Sequence, residues 1–259
     1  MSMPTTELTP DVADRWITRW DRQQEGYLPG REERFTALID AVEAGAGRPD
    51  PLILDLGCGP GSLSARLLDR LPRATVVAID TDRLLLALGE AAHTGRDRLR
   101  FTNLDLRTPG WSAALRLDRQ IDAAVSTTAL HWISGPELRV TYGELARLLR
   151  PGGLFLNGDH LYVEDKAPAI AGLDRSLRER EIARRFTTGR PEGWRDWWEA
   201  AAADPALASF ITGDALGADH AGSESGLLST HVNALRESGF TEVGTLWQRG
   251  DDRLLCAVR

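Results

Sequence analysis

The sequence predicts an α/β fold in which a mostly parallel, doubly wound sheet carries helices on both faces and one helical insertion. Short apolar runs alternate with helical patterns between residues 52 and 159, as in consecutive βαβ units. A glycine-rich turn follows the first apolar run, at the place where open α/β sheets bind ligands. Near the C-terminus, Gly-Asp-Asp joins two β-like runs, which predicts a hairpin.

Two helices are predicted before the sheet. Residues 11–24 have a helical pattern and precede the turn GYLPG, whose Gly and Pro residues interrupt a helix. The second helix, residues 31–45, places four apolar residues at the i, i+3, i+4, i+7 spacing of one buried face. These residues are Phe35, Leu38, Ile39 and Val42.

Five predicted strands then alternate with helical segments. The strands are LILDL (52–56), TVVAI (75–79), LRFTN (99–103), IDAAVS (121–126) and LFLNG (154–158). The helical segments include one near residues 111–117 and one at 136–150. After residue 158 the alternation stops until a helix at 229–240 and two hairpin strands, 242–249 and 253–259.

Three regions are predicted from these patterns. Residues 1–45 are expected to form N-terminal helices that cover the ligand, and residues 46–159 with 229–259 the ligand-binding domain. Residues 160–228 are expected to be a helical insertion that acts as a lid over the substrate.

Composition excludes several classes of protein. The 259-residue chain has a net charge of −7, so it has no overall basic field for a phosphate backbone, and we expect no nucleic-acid partner. Two cysteines are too few for a disulfide framework. No apolar run approaches the roughly 20 residues of a membrane span, and the N-terminus has no signal-peptide pattern. We therefore expect a cytoplasmic protein without a membrane partner.

The glycine-rich turn and three acidic residues predict a nucleoside-binding site. Glycines let the backbone approach a ligand closely, and the helix that follows offers unpaired N–H groups. Asp55 ends the first strand, Asp80 ends the second and Asp105 follows the third. A carboxylate after the second strand can reach a ribose diol. Carboxylates placed together repel one another unless a ligand with donors, or a cation, lies among them.

The motifs LDLGCGPG, AID, NLDL, STTALHWI and LLRPGGLFL resemble, in order and spacing, those of class I S-adenosylmethionine-dependent methyltransferases. The resemblance covers residues 52–159 and extends to the terminal helix and hairpin. It implies a Rossmann-like, doubly wound, mostly parallel seven-stranded sheet with an antiparallel last strand. STTALHWI and GYLPGREERF are similar to the small-molecule subset, the trans-aconitate methyltransferase-like or type 11 group. The implied reaction is O-methylation of a small-molecule carboxylate or hydroxyl, typical of secondary metabolism.

The resemblance also implies a cofactor, S-adenosyl-L-methionine, and the residues that bind it. These are Arg31, Asp55, Gly57, Gly59, Gly61, Asp80, Thr81, Asp105, Leu106, Ser126 and Thr127. Asp55, the glycines, Ser126 and Thr127 would hold the methionine part. Asp80 and Thr81 would take the ribose, and Asp105 with the Leu106 backbone the adenine. Arg31 would pair with the cofactor carboxylate; a surface ion pair within Arg-Glu-Glu-Arg is its alternative.

Methyl transfer from a sulfonium is an in-line displacement, so the protein mainly aligns the acceptor and excludes water. The sequence has no metal-ligand spacing. A hydroxyl acceptor would gain from a general base, whereas a carboxylate needs none. His131 and His160 follow the fourth and fifth strands and are the candidate catalytic residues, with packing or solvent-facing roles as the alternative.

Aromatic residues are the candidates for the acceptor pocket. Tyr27, Trp132 and Trp194 are expected there, although Trp194, Trp197 and Trp198 also have the spacing of one packed helix face. The Arg-rich run 175–185 is expected to be a solvated helix, with a carboxylate-binding Arg as the alternative.

Other functions remain open at this point. A nicotinamide-dependent dehydrogenase would have a third glycine where Ser62 stands, and the Tyr162-x-x-x-Lys166 pair characteristic of one dehydrogenase class is followed closely by Pro168, which disfavours the continuous helix it needs. A cofactor-binding protein without catalysis is the second alternative.

Overall fold

The strands form one sheet in a computed structural model that describes residues 8–163, 167–211 and 226–259. They are β1 (Leu52–Leu56), β2 (Thr75–Asp80), β3 (Leu99–Asn103), β4 (Ile121–Thr127), β5 (Leu149–His160), β6 (Glu242–Arg249) and β7 (Asp252–Val258). Their order is β3-β2-β1-β4-β5-β7-β6. The first five are mutually parallel, and β7 lies antiparallel between β5 and β6. The Rossmann-like, doubly wound sheet with an antiparallel last strand is therefore confirmed.

Helices flank this sheet. They are α1 (Pro10–Tyr27), α2 (Arg31–Gly45), α3 (Ser62–Arg70), α4 (Arg83–Ala92), α5 (Gly135–Leu148), α6 (Pro168–Arg185), α7 (Trp194–Ala203) and α8 (Leu228–Glu237). Glu137 caps the start of α5, because its Oε2 accepts hydrogen bonds from the backbone N–H of Ser134 at 3.0 Å and from Ser134 Oγ at 2.6 Å. In the described part of the chain, no helix is both long and apolar enough to cross a membrane.

Several element bounds differ from those predicted. The predicted strand 154–158 is the middle of the longer β5, because β4 and β7 supply hydrogen-bond partners as far as residues 149 and 160. The helix expected at 136–150 ends at Leu148, since Pro151 disfavours helical backbone in the residue before it. The segment near residue 111 is a short 3₁₀ helix, Trp111–Leu115.

Both faces of the sheet are packed. On one face, sheet residues such as Leu54 and Phe155 contact Tyr142 of α5 and Leu235 of α8 in one buried cluster. On the other face, Phe35, Leu38, Ile39 and Val42 of α2 pack with α3 and with alternate strand residues. The face of α2 that the sequence predicts is thus buried, and α2 is part of the main core.

A second, smaller core joins α1, α4 and α7. We call the five tryptophans in it the aromatic seam: Trp16, Trp20, Trp194, Trp197 and Trp198. Trp16 and Trp20 lie edge-on to Trp197, with ring centroids 5.4 and 5.1 Å apart. Since the tryptophans of α7 pack in this way, their spacing reflects a packed helix face.

Candidate functional site

The glycine-rich turn between β1 and α3 has a backbone that requires glycine. Gly57, Gly59 and Gly61 have φ angles of 68°, 54° and 83°, which disfavour any residue with a side chain. A Cβ on Gly57 would lie 2.2 Å from that of Ala129, just after β4, so this glycine also permits the close approach of two loops. The turn leads into α3, whose first N–H groups can face a polar ligand.

Asp55 is a fully buried carboxylate at this turn. One oxygen accepts a hydrogen bond from Ser64 Oγ at 2.6 Å, whereas Oδ1 has no partner among the described residues. Burial raises the pKa of Asp55 to about 7. An unpaired buried acceptor is costly, so this oxygen is suited to a donor on a ligand.

Asp80 fixes the shape of the same turn. Its carboxylate accepts hydrogen bonds from the backbone N–H groups of Gly59, Thr81 and Asp82 at 2.7–2.9 Å. Burial raises the pKa of Asp80, and its charge adds to the raised pKa of Asp55. Neighbouring strand ends therefore bring these two predicted residues together.

Arg31 is 4% exposed, and its Nη1 lies 3.8 Å from Glu32 Oε1, an ion pair within the Arg-Glu-Glu-Arg segment. Its Nη2 donates to Asp21 Oδ1 at 2.9 Å, and the same oxygen accepts from Ser62 Oγ at 2.5 Å. Its Nη1 is buried without a hydrogen-bond partner among the described residues. Arg31 therefore offers an unused donor beside the first residue of α3.

Asp105 and Leu106 lie just after the C-terminal end of β3, which is an edge strand of the sheet. The Arg107 guanidinium binds both oxygens of Asp105 at 2.8–3.2 Å and lowers its pKa. Leu106 is buried, and its carbonyl accepts a hydrogen bond from Thr141 Oγ1. Asp105 therefore has a cation, Arg107, as its partner in this structure, and its role toward a ligand stays a prediction.

Ser126 and Thr127 end β4 and use their hydroxyls within the protein. Ser126 Oγ donates to the carbonyl of Leu56 at 2.8 Å, and Thr127 Oγ1 accepts from Arg34 Nη2 at 2.6 Å. Their side chains thus connect β4 to β1 and to α2, and the sequence motif does not reveal these contacts.

His131 forms a pair with Asp159 at the exits of β4 and β5. Its Nδ1 lies 2.9 and 3.0 Å from the two oxygens of Asp159. The imidazole is 30% exposed, whereas the carboxylate is 1% exposed. Burial lowers the pKa of His131, but the charge and hydrogen bond of Asp159 outweigh it, and the pKa is raised. A histidine oriented by a buried carboxylate can accept and return a proton.

His160 faces away from this pair. Its ring lies 3.3 Å from both Asp251 Oδ1 and Arg178 Nη1, and Arg178 binds Asp251 at 2.9 Å. This cluster attaches α6 to the turn between β6 and β7, so we assign His160 and Arg178 to packing of the insertion.

The predicted pocket aromatics are divided between two environments. Tyr27 and Trp132 are 49% and 44% exposed, and Tyr27 Oη accepts a hydrogen bond from the backbone N–H of Trp194 at 3.0 Å. Trp194 itself packs in the aromatic seam against Trp20 and Trp198. Trp20 in turn lies beside the glycine turn, because a Cβ on Gly59 would be 3.7 Å from its ring.

The dehydrogenase pair finds no support in the described residues. Tyr162 lies in an isolated bridge with Leu227 instead of a helix, and Lys166 lies outside the described residues.

Two residues of the site were missed as such from the sequence. They are Asp159 and Arg34, to which the sequence motifs assign no role. The alternation of β5 could have pointed to Asp159, since it is two residues from the buried Asn157 on the same face. Arg34 has partners 93 and 218 residues away, and no local pattern reveals them.

Comparison with known proteins identifies the family of the central segment. Residues 53–153 match a family model described as a methyltransferase domain. Trans-aconitate 2-methyltransferase of Azoarcus sp. is 32% identical over 135 residues, which cover 52% of this chain and 48% of that protein. Malonyl-[acyl-carrier protein] O-methyltransferase of Geobacter sulfurreducens is 36% identical over 161 residues, covering 60% and 56%. The chain thus spans about half the length of these curated relatives.

Solved structures share the fold. Human N-acetylserotonin methyltransferase in complex with S-adenosylmethionine has a TM-score of 0.54 at 16% identity, over 99% of this chain and 60% of that one. An O-methyltransferase family protein from Burkholderia thailandensis has a TM-score of 0.51 at 18% identity, over 96% and 71%. At these identities the likeness is one of fold alone.

Proposed function

Since this chain has the class I methyltransferase fold and a methyltransferase domain at residues 53–153, we propose that it is an S-adenosylmethionine-dependent enzyme that methylates an oxygen of a small molecule. The observation that carries the proposal is the pair of unused buried groups at the glycine-rich turn. They are Asp55 Oδ1, an acceptor, and Arg31 Nη1, a cationic donor. The cofactor carries an ammonium and a carboxylate on its methionine part, so these two groups match it in charge.

The binding roles follow from the positions of the residues. Asp55, Arg31 and the backbone of Gly57, Gly59 and Gly61 would hold the methionine part, with Ser126 and Thr127 shaping the adjoining wall. Asp80 and Thr81 would hold the ribose, and Asp105 and Leu106 the adenine. When bound, the cofactor supplies a methyl group activated by a sulfonium. A metal is not required for such a displacement.

Two acceptor classes are supported by separate observations. The named relatives include enzymes of carboxylic acids, trans-aconitate and malonyl groups. The His131–Asp159 pair supports a hydroxyl, because only a hydroxyl has a proton that a base must remove. In that case His131 Nε2 takes the proton while Asp159 holds the ring at Nδ1 and stabilises the imidazolium. Trp132, adjacent and exposed, would contact the acceptor, as would Tyr27.

Cofactor binding is tested by calorimetric titration of the full chain with S-adenosylmethionine and S-adenosylhomocysteine. Asp80→Ala removes the acceptor for three backbone N–H groups and the proposed ribose ligand, so we expect at least about a 100-fold loss of affinity. Asp40→Ala, at an exposed aspartate that pairs with Arg70 on the surface, is the matched control and should bind as the wild type does. Equal affinity of both variants would contradict the proposal.

The acceptor class is tested by His131→Gln, assayed with phenols and with di- and tricarboxylic acids. For a hydroxyl acceptor we expect kcat to fall about 10²–10⁴-fold, the usual contribution of a general base, with cofactor affinity unchanged. For a carboxylate acceptor kcat should stay within a few-fold of the wild type. Loss of cofactor binding in this variant would show that His131 supports the fold instead.

A further inference from the structure

Arg34 is a buried cation that the binding roles above do not use. It is completely buried, and an arginine is rarely buried to this extent unless it is paired with a specific partner. Nη1 donates to Asp252 Oδ1 on β7 and Nη2 to Thr127 Oγ1 on β4, both at 2.6 Å. Its Nε is buried without a partner among the described residues. This arginine of α2 therefore reaches across two strands of the sheet.

The side chain of Arg34 lies against β5 at Gly158. A Cβ on this glycine would lie 2.8 Å from Arg34 Cδ and 2.9 Å from Nε, so glycine makes room for the guanidinium. Gly158 directly precedes Asp159, and its carbonyl accepts the N–H of Thr128 at 2.8 Å. Thr128 has a φ of 50°, which is strained for a β-branched residue. Arg34 thus lies close to the C-terminal ends of β4, which leads to His131, and of β5, which carries Asp159.

Several charged groups, Arg34 among them, surround the pair formed by His131 and Asp159 and influence its pKa values. The titratable and charged groups around the pair are Arg34 on α2, Tyr142 on α5, His160 on β5, and Asp252 and Arg253 on β7, which are the register partners of His160 and Asp159. Burial lowers the pKa of His131 and Asp159 raises it, while the charge of Arg34 opposes Asp159. Burial raises the pKa of Asp159, but the charges of His131 and Arg34 outweigh it, and the pKa is lowered.

We propose that Arg34 is a positioning residue for methyl transfer: its fixed charge, held beside Gly158 near the C-terminal ends of β4 and β5, competes with His131 for the carboxylate of Asp159 and so weakens the hold of that carboxylate on the imidazole proton. Without this opposing charge, the carboxylate of Asp159 would raise the pKa of the ring further. The proposal rests on the proposed function, in which His131 is the base.

The test is an NMR titration of histidine ring carbons in the full-length protein, without cofactor or acceptor. The His131 signal is assigned by its absence from His131→Gln. Arg34→Met should raise the pKa of His131 by about 0.5–1 unit, because a nearby like charge is removed. Asp252→Asn should lower it, because Arg34 then acts without its counterion. Arg34→Lys should leave it close to the wild-type value.

Arg150 provides the matched control. It lies on β5 and also joins the end of α2 to β4, through Asp122 at 2.9 Å and the carbonyls of Gly45 and Ala46 at 2.9 and 2.8 Å, but at the N-terminal ends of these strands. Arg150→Met should not move the titration of His131. The proposal is overturned if Arg34→Met leaves the midpoint unchanged or lowers it, or if Asp252→Asn raises it.

These outcomes are separate from those of the proposed function, because the titration needs no turnover. Where a methyl acceptor is found, the acid limb of kcat/KM against pH, which reports the free enzyme, should shift upwards in Arg34→Met in the same direction as the NMR midpoint. If the midpoints move as expected but His131→Gln keeps kcat within a few-fold of the wild type, Arg34 sets the protonation of the pair and the role of His131 as base fails.

Discussion

Single residues at the strand ends carry charge into the interior, and Asp55 is the clearest case. Its carboxylate is fully buried, with one oxygen bound by Ser64 and the other unpartnered among the described residues. The motif predicts Asp55 and Asp80 because both belong to local strand-turn segments. It does not predict the pairing of Arg34, Asp159 and Asp252, whose contacts join distant parts of the chain.

The raised pKa of Asp55 has a consequence for stability. Because the folded pKa, about 7, exceeds the unfolded value of about 3.9, the native state binds the proton more tightly. This contribution is complete below about pH 4 and is lost as the pH rises through about 7. Asp55→Asn lacks this dependence, so between pH 5 and pH 8 the free energy of unfolding of the wild type should fall by about 3 kcal/mol relative to that of the variant.

Urea unfolding of both proteins without cofactor at several pH values measures this difference. Asp40→Asn, an exposed aspartate, serves as the control and should show no such trend. A constant difference between Asp55→Asn and wild type across this pH range would refute the assignment.

At the scale of elements, the glycine turn packs closely against the loop that follows β4. Gly57→Ala would place a Cβ 2.2 Å from that of Ala129 at a φ of 68°. We expect it to destabilise the protein by about 3 kcal/mol or more, from overpacking and backbone strain together. Gly95→Ala, with a φ of 88° but nothing within 4 Å, should cost only the backbone strain of about 1–2 kcal/mol.

A second substitution separates the two effects. Ala129→Gly in the Gly57→Ala background removes the overlapping methyl group, so part of the lost stability should return. Denaturant unfolding of the single and double variants measures this coupling, and additive effects would mean that the contact is unimportant.

Element boundaries illustrate what local sequence can predict. The strands β1 and β3 begin and end as predicted, because apolar or β-branched runs end at clear turn residues. The full length of β5 depends on its partners β4 and β7, and no window of sequence contains those. The α2 face was predictable from spacing alone, but its place in the main core follows from topology.

For the whole molecule, the aromatic seam connects the N-terminal region to the insertion. Trp197 is fully buried and contacts Trp16, Trp20 and Trp198. Trp197→Ala should therefore cost about 3–5 kcal/mol in the free energy of unfolding. Trp132→Ala, at a tryptophan that is 44% exposed, should have little effect on stability. Chemical denaturation checks both, and equal losses would contradict the role of the seam.

The division into cover, binding domain and lid stays a prediction. Tryptophan spacing predicted a packed face on α7, yet its partner on α1 lies more than 170 residues earlier in the chain and could not be read from it. The lid role of residues 160–228 can be tested by replacing them with a short linker, but the seam would be lost as well.

Five of the eight tryptophans in the chain lie in this one seam, and one of them borders the glycine turn. The intrinsic fluorescence of the protein is therefore dominated by the boundary between α1, α4 and α7 rather than by the sheet. Any movement of α1 away from the turn would bring water to these indoles and shift their emission to the red. The fold thus contains its own optical reporter for the opening of the site, with no need for a label.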